Sequence, residues 1–239
     1  MVRYIPDVTG RFAQRPYWFE PELDRECETI VETFLRRHHG KVEYPIHTED
    51  LKMLVEDEAQ DLDQYADLEA DVDGVTEFEP GRRPRVRIAR YLAEDDRWEN
   101  RLRTTLSHEY GHVHFHGPLF AAHLRGADLF GAVDVKPQAT SCKRDRMIDA
   151  PKVDWLEWQA GHVSGAVLMP VSAVRRTLAP FHERLGSSGP VRLESVAGQG
   201  LIQAVTAGFQ VSRDAARVRL MRLGYLGAPV MSGSLFTAW

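Results

Sequence analysis

Cysteine is scarce in this sequence, and long apolar runs are absent. The 239 residues include two cysteines, Cys27 and Cys142, and no CxxC pair, which argues against a disulfide framework. We expect two reduced thiols in a cytoplasmic protein. No apolar run approaches the roughly 20 residues that a membrane-spanning helix needs. Residues 1–14 have no apolar signal core, so neither secretion nor a membrane partner is expected.

An excess of positive charge is also lacking. The 30 lysines and arginines face 35 aspartates and glutamates, for a formal net charge of −5 with neutral histidines. This balance provides no overall attraction to nucleic acid or to an anionic membrane. The chain length and a hydrophobic content of 43% are ordinary for a globular protein. Nothing in the composition indicates an oligomeric state.

Apolar spacing and turn residues predict an α+β fold. Apolar residues recur at helical spacing in four segments, for which we predict helices: 22–39, 97–116, 153–169 and a helical pair within 201–226. Alternation predicts two strands of a small antiparallel or mixed sheet, at 74–78 and 85–92. Three segments lack such periodicity: an extended arm at 1–20, an acidic loop at 56–79 and an irregular stretch at 119–150. Gly117-Pro118 is predicted to end the second helix.

The stretch LSHEYGHVHFH, residues 106–116, contains four of the chain's ten histidines. On a helix, His108 and His112 lie one turn apart on one face, so their imidazoles can converge on one ion. Glu109 lies beside the first histidine and can act on a water molecule without binding the metal. Two neutral histidines, a third ligand and a water make an open tetrahedral zinc site. We predict one Zn²⁺ per chain, with Glu109 as the catalytic base and Gly111 allowing close packing beside the metal.

A second motif extends this pattern into a family resemblance. SHEYGHVHFH, followed by Glu157-Trp-Gln-Ala160 and by VLMP at 167–170, resembles the ImmA/IrrE family of zinc metallopeptidases, which are gluzincin-like. The resemblance implies that Glu157 is the third metal ligand. It also implies a zincin-like metallopeptidase domain over 1–180, with an active-site helix that carries HEXXH, and a helical, helix-turn-helix-like unit over 181–239. The implied activity is zinc-dependent cleavage of a helix-turn-helix transcriptional repressor, in a stress or mobile-element switch.

One position departs from the family pattern. The family often has Asn or Asp four residues after the ligand glutamate, where it orients a metal histidine. This chain has Gly161 there, so we expect the orienting hydrogen bond to come from His162 or from the stretch 119–150. Since that stretch also lengthens the spacing between His112 and Glu157, we interpret it as a lid or a regulatory insertion.

Two other classes of function fit the same residues. The first is a regulatory binding protein that holds a structural or silent zinc and binds a partner or DNA without cleavage. The second is a zinc hydrolase that acts on a non-peptide amide. The intact Glu109 argues against a silent site, because a purely structural site needs no base. For 201–226, a DNA-reading unit is one interpretation; we prefer a helical unit that packs on the peptidase or holds a protein partner. Four arginines would contact DNA in the first case: Arg213, Arg217, Arg219 and Arg222.

Several further residues have predicted roles. We predict that His114 is not a ligand and that His116 is a structural hydrogen-bonding residue at the helix end. Cys142 is either a packed thiol, the interpretation we prefer, or a thiol that caps the zinc in a resting state. The strand at 85–92 is a candidate edge to which an extended substrate adds. Three residues are candidates to stabilise the oxyanion: Tyr91, Arg144 and His162.

Overall fold

A computed structural model describes residues 3–129, 138–143, 152, 154–185 and 189–227. Its strands are β1 (Arg3–Pro6), β2 (Gln14–Tyr17), β3 (Asp61–Ala66), β4 (Val72–Phe78), β5 (Arg85–Ala89), β6 (Gln138–Lys143), β7 (Val191–Arg192) and β8 (Leu226–Gly227). Its α-helices are α1 (Glu20–His39), α2 (Thr48–Glu58), α3 (Arg90–Ala93), α4 (Glu99–Gly111), α5 (Gly117–Leu129), α6 (Trp155–Leu168), α7 (Val171–Leu185), α8 (Val196–Phe209) and α9 (Arg213–Arg222). The predicted α+β class is confirmed. Within these ranges, no helix combines the length and the apolar character needed to cross a membrane.

The main sheet has the strand order β3-β5-β4-β6. Strand β3 is parallel to β5, and the other pairs are antiparallel, so the predicted small sheet is of the mixed kind. The prediction of an acidic loop over 56–79 is wrong, because this segment forms β3 and β4, which pair with β5, and two of its acids also pair with arginines of β5. Arg85 bonds Asp61 at 3.3 Å, and Arg87 bonds Glu77 at 3.4 Å. Since β5 is paired on both sides, the prediction that 85–92 offers a free edge is wrong.

One hydrophobic core extends through most of the helices. It combines buried residues of α1, α2, α4 and α6 with Val205 and Phe209 of α8 and Leu220 of α9. The side chain of Arg103, fully buried on α4, donates to the carbonyl oxygens of Phe209 and Gln210. Helices on both sides of the predicted boundary at residue 180 therefore share one core, as we expected for a C-terminal unit that packs on the first domain.

Some element boundaries differ from those predicted. Gly117-Pro118 does not end the helical segment: a π-helical turn at His112–His116 leads directly into α5. Pro118 has no N–H and cannot donate to a carbonyl oxygen of the preceding turn, yet the chain continues as α5. The stretch 119–150 is not wholly irregular, since it contributes most of α5 and all of β6. The N-terminal arm forms a two-stranded hairpin, β1 with β2. Gly40 ends α1 in the left-handed conformation, and the side chain of Ser212 caps α9.

Candidate metal centre

Two helices bring the predicted ligands together. His108 lies in the last turn of α4, His112 begins the π-helical turn, and Glu157 lies in the first turn of α6. The two Nε2 atoms are 3.2 Å apart; Glu157 places Oε2 3.2 Å from Nε2 of His108 and Oε1 3.3 Å from that of His112. Helices α4 and α6 approach closely at Gly111, where an added Cβ would lie 3.1 Å from the Cα of Ala160. The predicted role of Gly111 in close packing is therefore confirmed.

These distances fit a small tetrahedral cation. Bonds of about 2.0–2.1 Å at tetrahedral angles place neighbouring ligand atoms about 3.3 Å apart, close to the separations in this triad. The pKa shifts of His112 and Glu157 also favour a cation at this position. Burial works to lower the pKa of His112, but the charge of Glu157 outweighs it and raises that pKa. Burial likewise works to raise the pKa of Glu157, yet His112 and His108 hold it far below its usual range. The triad therefore favours a positive charge at its centre.

A hydrogen-bond relay sets the orientation of His112. Its Nδ1 lies 2.9 Å from Nδ1 of His116, and Nε2 of His116 lies 3.0 Å from Oε1 of Gln159. Burial holds the pKa of His116 well below its usual range, so this ring is neutral. With its proton on Nε2 donated to Gln159, His116 accepts from the Nδ1–H of His112. The lone pair of His112 then lies on Nε2, which faces His108 and Glu157, as a metal ligand requires. His116 is thus the hydrogen-bonding residue that we predicted.

The other metal histidine has no such partner. Nδ1 of His108 is buried and has no hydrogen bond within the described residues. The expectation that His162 would orient a metal histidine is wrong, because its Nε2 lies 3.0 Å from Oδ1 of Asp24 instead. The glycine at position 161 carries no side chain that could take the role of the family's Asn or Asp. Within the described part of the chain, the orienting contacts therefore act on His112; the expectation for 119–150 lies partly outside the described residues.

Glu109 lies beside the triad without joining it. Its Oε2 accepts a hydrogen bond of 2.6 Å from Oγ1 of Thr76, while Oε1 is buried and has no partner among the described residues. Strand β4 lies tightly against this carboxylate: a Cβ on Gly74 would lie 2.5 Å from Oε1. Burial raises the pKa of Glu109, and His112 and His108 partly oppose that shift. A buried carboxylate with one free oxygen and a raised pKa is suited to accept a proton.

Three contacts in this site were not predicted from the sequence: those of Thr76, Gly74 and Gln159. The alternation of GVTEF places Gly74 and Thr76 on one face of β4, and that face proves to cover Glu109. Gln159 was noted only as a match to the family motif. The alternation alone could not have revealed these contacts, because it does not tell which helix a strand covers.

The remaining candidates take other positions. His114 is 2.8 Å from Oε1 of Glu58 and is not part of the triad, as predicted. The hydroxyl of Tyr91 donates to Asp73, and His162 pairs with Asp24, so neither has the role of an oxyanion donor in this arrangement. Arg144 lies outside the described residues.

Cys142 lies close to two residues of the site, His108 and Glu109. It is fully buried on β6, and one possible ligand atom from each of Cys142, His108 and Glu109 lies within 4.8 Å of the other two. Burial, reinforced by the charges of Glu109 and Glu157, raises the pKa of this thiol well above its usual range. The interpretation of Cys142 as a thiol packed in a loop is wrong in one respect, since the residue lies in a strand that faces the site.

Comparisons of the chain with protein-family models, with curated proteins and with solved structures found no match. The family resemblance therefore rests on the motif residues themselves: the HEXXH segment of α4 and the Glu157 segment of α6.

Proposed function

We propose that this protein is a zinc-dependent metalloendopeptidase. One observation carries the proposal. Two histidine nitrogens and the carboxylate of Glu157 converge beside the buried carboxylate of Glu109, of which one oxygen is hydrogen-bonded and the other has no partner among the described residues. A structural zinc site has four protein ligands and needs no base. This triad offers three ligands, and the adjacent glutamate has one oxygen without a partner among the residues that the structure describes.

The chain's own residues would divide the work as follows. His108, His112 and Glu157 hold the metal, and the relay through His116 and Gln159 keeps the lone pair of His112 directed at it. Zinc bound there supplies Lewis acidity toward a water molecule and toward a carbonyl oxygen. Glu109 accepts a proton from the attacking water at Oε1 and then delivers it to the departing amide nitrogen. Thr76 holds the other carboxylate oxygen in place throughout.

The proposed substrate class is a helix-turn-helix transcriptional repressor, and this part of the proposal rests on the motif resemblance. The C-terminal helices support the fold of the enzyme in this proposal and do not read DNA. Arg219 is buried and bonded to Asp24, and Arg217 is paired with Asp214 at 2.7 Å. Arg213 donates to Oε1 of Gln199 at 2.6 Å, so at least three of the four arginines that would contact DNA are engaged within the protein.

Glu109→Gln tests the chemistry. The variant keeps the size of the side chain and the hydrogen bond from Thr76 but removes the basicity. Zinc-loaded protein is incubated with the repressor encoded beside its gene, and the products are mapped by mass spectrometry. We expect one cut with the wild type, and a rate at least about 10²-fold lower in the variant, the low end for a positioned general base. His108→Ala, the matched control, should lose zinc as well as activity. A variant that cuts at the wild-type rate would refute the mechanism.

A regulatory zinc protein that binds without cutting is the second candidate. The burial of the site favours it: His108 and His112 are fully buried, and Glu157 is 8% exposed. The same variant separates the two functions. If Glu109→Gln retains the full biological effect in cells, the protein acts by binding; if the effect disappears while zinc remains bound, it acts by cleavage.

A further inference from the structure

Strand β6 lies at the end of the described main sheet, directly against β4. The two strands are antiparallel, and their register pairs Gly74 with Cys142 and Thr76 with Thr140. Directly paired residues share a face of the sheet. Gly74 and Thr76 face Glu109, so Cys142 and Thr140 face the same side. Both are buried, and the intervening Ser141 is exposed.

The edge of β4 is also the natural place for an extended substrate. An extended peptide binds a sheet by adding a strand to a free edge. Strand β4 carries both residues that contact the proposed base, so a peptide paired with β4 would pass beside Glu109 and the metal ligands. Its other edge is paired with β5. The edge that a substrate would need is therefore the one that β6 already holds.

Near the end of β6, the side chain of Cys142 lies beside His108 and Glu109. One possible ligand atom each from Cys142, His108 and Glu109 lies within 4.8 Å of the other two, and Oε1 of Glu109 has no partner among the described residues. His108, Glu109 and His112 have no exposed surface. In this arrangement, β6 and its cysteine cover the position where a scissile peptide would meet the base.

We propose that β6 is an internal inhibitory strand, which occupies the place of the substrate strand on β4 with Cys142 against the metal centre. An extended peptide binds only when β6 leaves, and it then replaces the backbone pairing of β6 with its own. This inference rests on the proposed function, since it assigns an inhibited state to the proposed peptidase site.

A reversible lock tests the proposal. Val75 and Ser141 are directly paired on the face that points away from Glu109. Opposite residues of antiparallel strands have Cα atoms about 4.5–5.5 Å apart, which a disulfide can span. Val75→Cys combined with Ser141→Cys should therefore join β6 to β4 under oxidation and release it under reduction. Val75→Cys alone is the matched control, because it cannot lock the strand.

The measurement is binding of an extended peptide hydroxamate to the zinc-loaded protein, with zinc content determined in parallel. We expect the oxidised double variant to retain zinc and lose binding, and reduction to restore binding. The control should bind equally in both conditions. Equal binding by the locked and released forms would overturn the inference and leave the peptidase proposal standing. Absence of cleavage by the zinc-loaded wild type, in the experiment that compares it with Glu109→Gln, would instead overturn the peptidase proposal, whatever the lock does.

Cys142→Ala provides a second measurement. Removal of the thiol takes away the side chain that faces the metal centre and leaves the backbone pairing of β6 in place. We expect tighter binding of the same hydroxamate, with unchanged zinc content. Unchanged affinity would overturn the role given to Cys142.

Discussion

A buried ion pair joins helix α9 to helix α1. The loss of stability on its removal can be calculated. Nη1 of Arg219 lies 2.7 Å from Oδ1 of Asp24, and the two side chains are 2% and 12% exposed. Nε of the same arginine donates to the carbonyl oxygen of Met169. Burial works to raise the pKa of Asp24, but the hydrogen bond from His162 and the charge of Arg219 outweigh it and lower that pKa. Asp24 is therefore a buried anion that depends on its partners.

Arg219→Met removes the cation and leaves this anion behind. Breaking a buried pair by removing one partner costs about 3–5 kcal/mol. In a protein of this size, each kcal/mol lowers the melting temperature by about 2–4 °C. The product of these ranges is a decrease of roughly 6–20 °C. Adding Asp24→Asn removes the stranded charge but keeps an acceptor for His162, so the double variant should lose less than the sum of the two single variants.

Thermal unfolding followed by circular dichroism measures these differences. Arg213→Met is the matched control, because Arg213 is exposed on the same helix and its hydrogen bond to Gln199 is exposed as well. It should change the free energy of unfolding by about 0.5 kcal/mol or less. If the melting temperature of Arg219→Met equals that of this control, the buried pair does not hold α9 on the core, and the reasoning is refuted.

Three other outcomes are expected. Gly74→Ala should retain zinc but lower peptidase activity, because its Cβ would lie 2.5 Å from the carboxylate of Glu109; Gly165→Ala, whose Cβ would be 3.6 Å from its nearest neighbour, is the control, and equal activities would contradict the prediction. Purified protein should hold one zinc, and Glu157→Ala should lose it; metal analysis that finds no loss would remove Glu157 from the site. Burial lowers the pKa of His162, so the unfolded chain takes up that proton first, and stability falls as pH drops below about 6.5. His162→Gln should weaken this dependence in denaturant titrations at several pH values, and an unchanged slope would disprove its origin in His162.

Local patterns were sufficient for much of the site. His108 and His112 are four residues apart on a helix, and helix geometry alone places them on one face. Glu109 follows from the same spacing. The ligand role of Glu157 required the family motif, because nothing in the spacing of 45 residues after His112 indicates that α6 packs against α4. The folded chain brings the carboxylate of Glu157 within 3.3 Å of both histidines.

Local patterns failed where partners are distant in the chain. The acids of 56–79 indicate a solvated loop when they are considered alone, yet the backbones of β3 and β4 pair with β5 on either side, and two of the acids also pair with its arginines. The π-helical turn at His112–His116 was also missed, since its signature is a change in hydrogen-bond register that apolar periodicity does not report. The relay through His116 to Gln159 depends on that turn and on the packing of α6.

The sequence by itself predicted four helical regions, the α+β class of the fold and the placement of His108 and His112 on one face, because each depends on spacings of a few residues. Only the tertiary structure decided which oxygen of Glu109 is free, which residues orient His112 and which strand lies against β4. These properties depend on contacts between residues that are 33 to 71 positions apart, such as Thr76 with Glu109 and β4 with β6. Such contacts follow from the packing of a shared core, and no local pattern in the chain encodes them.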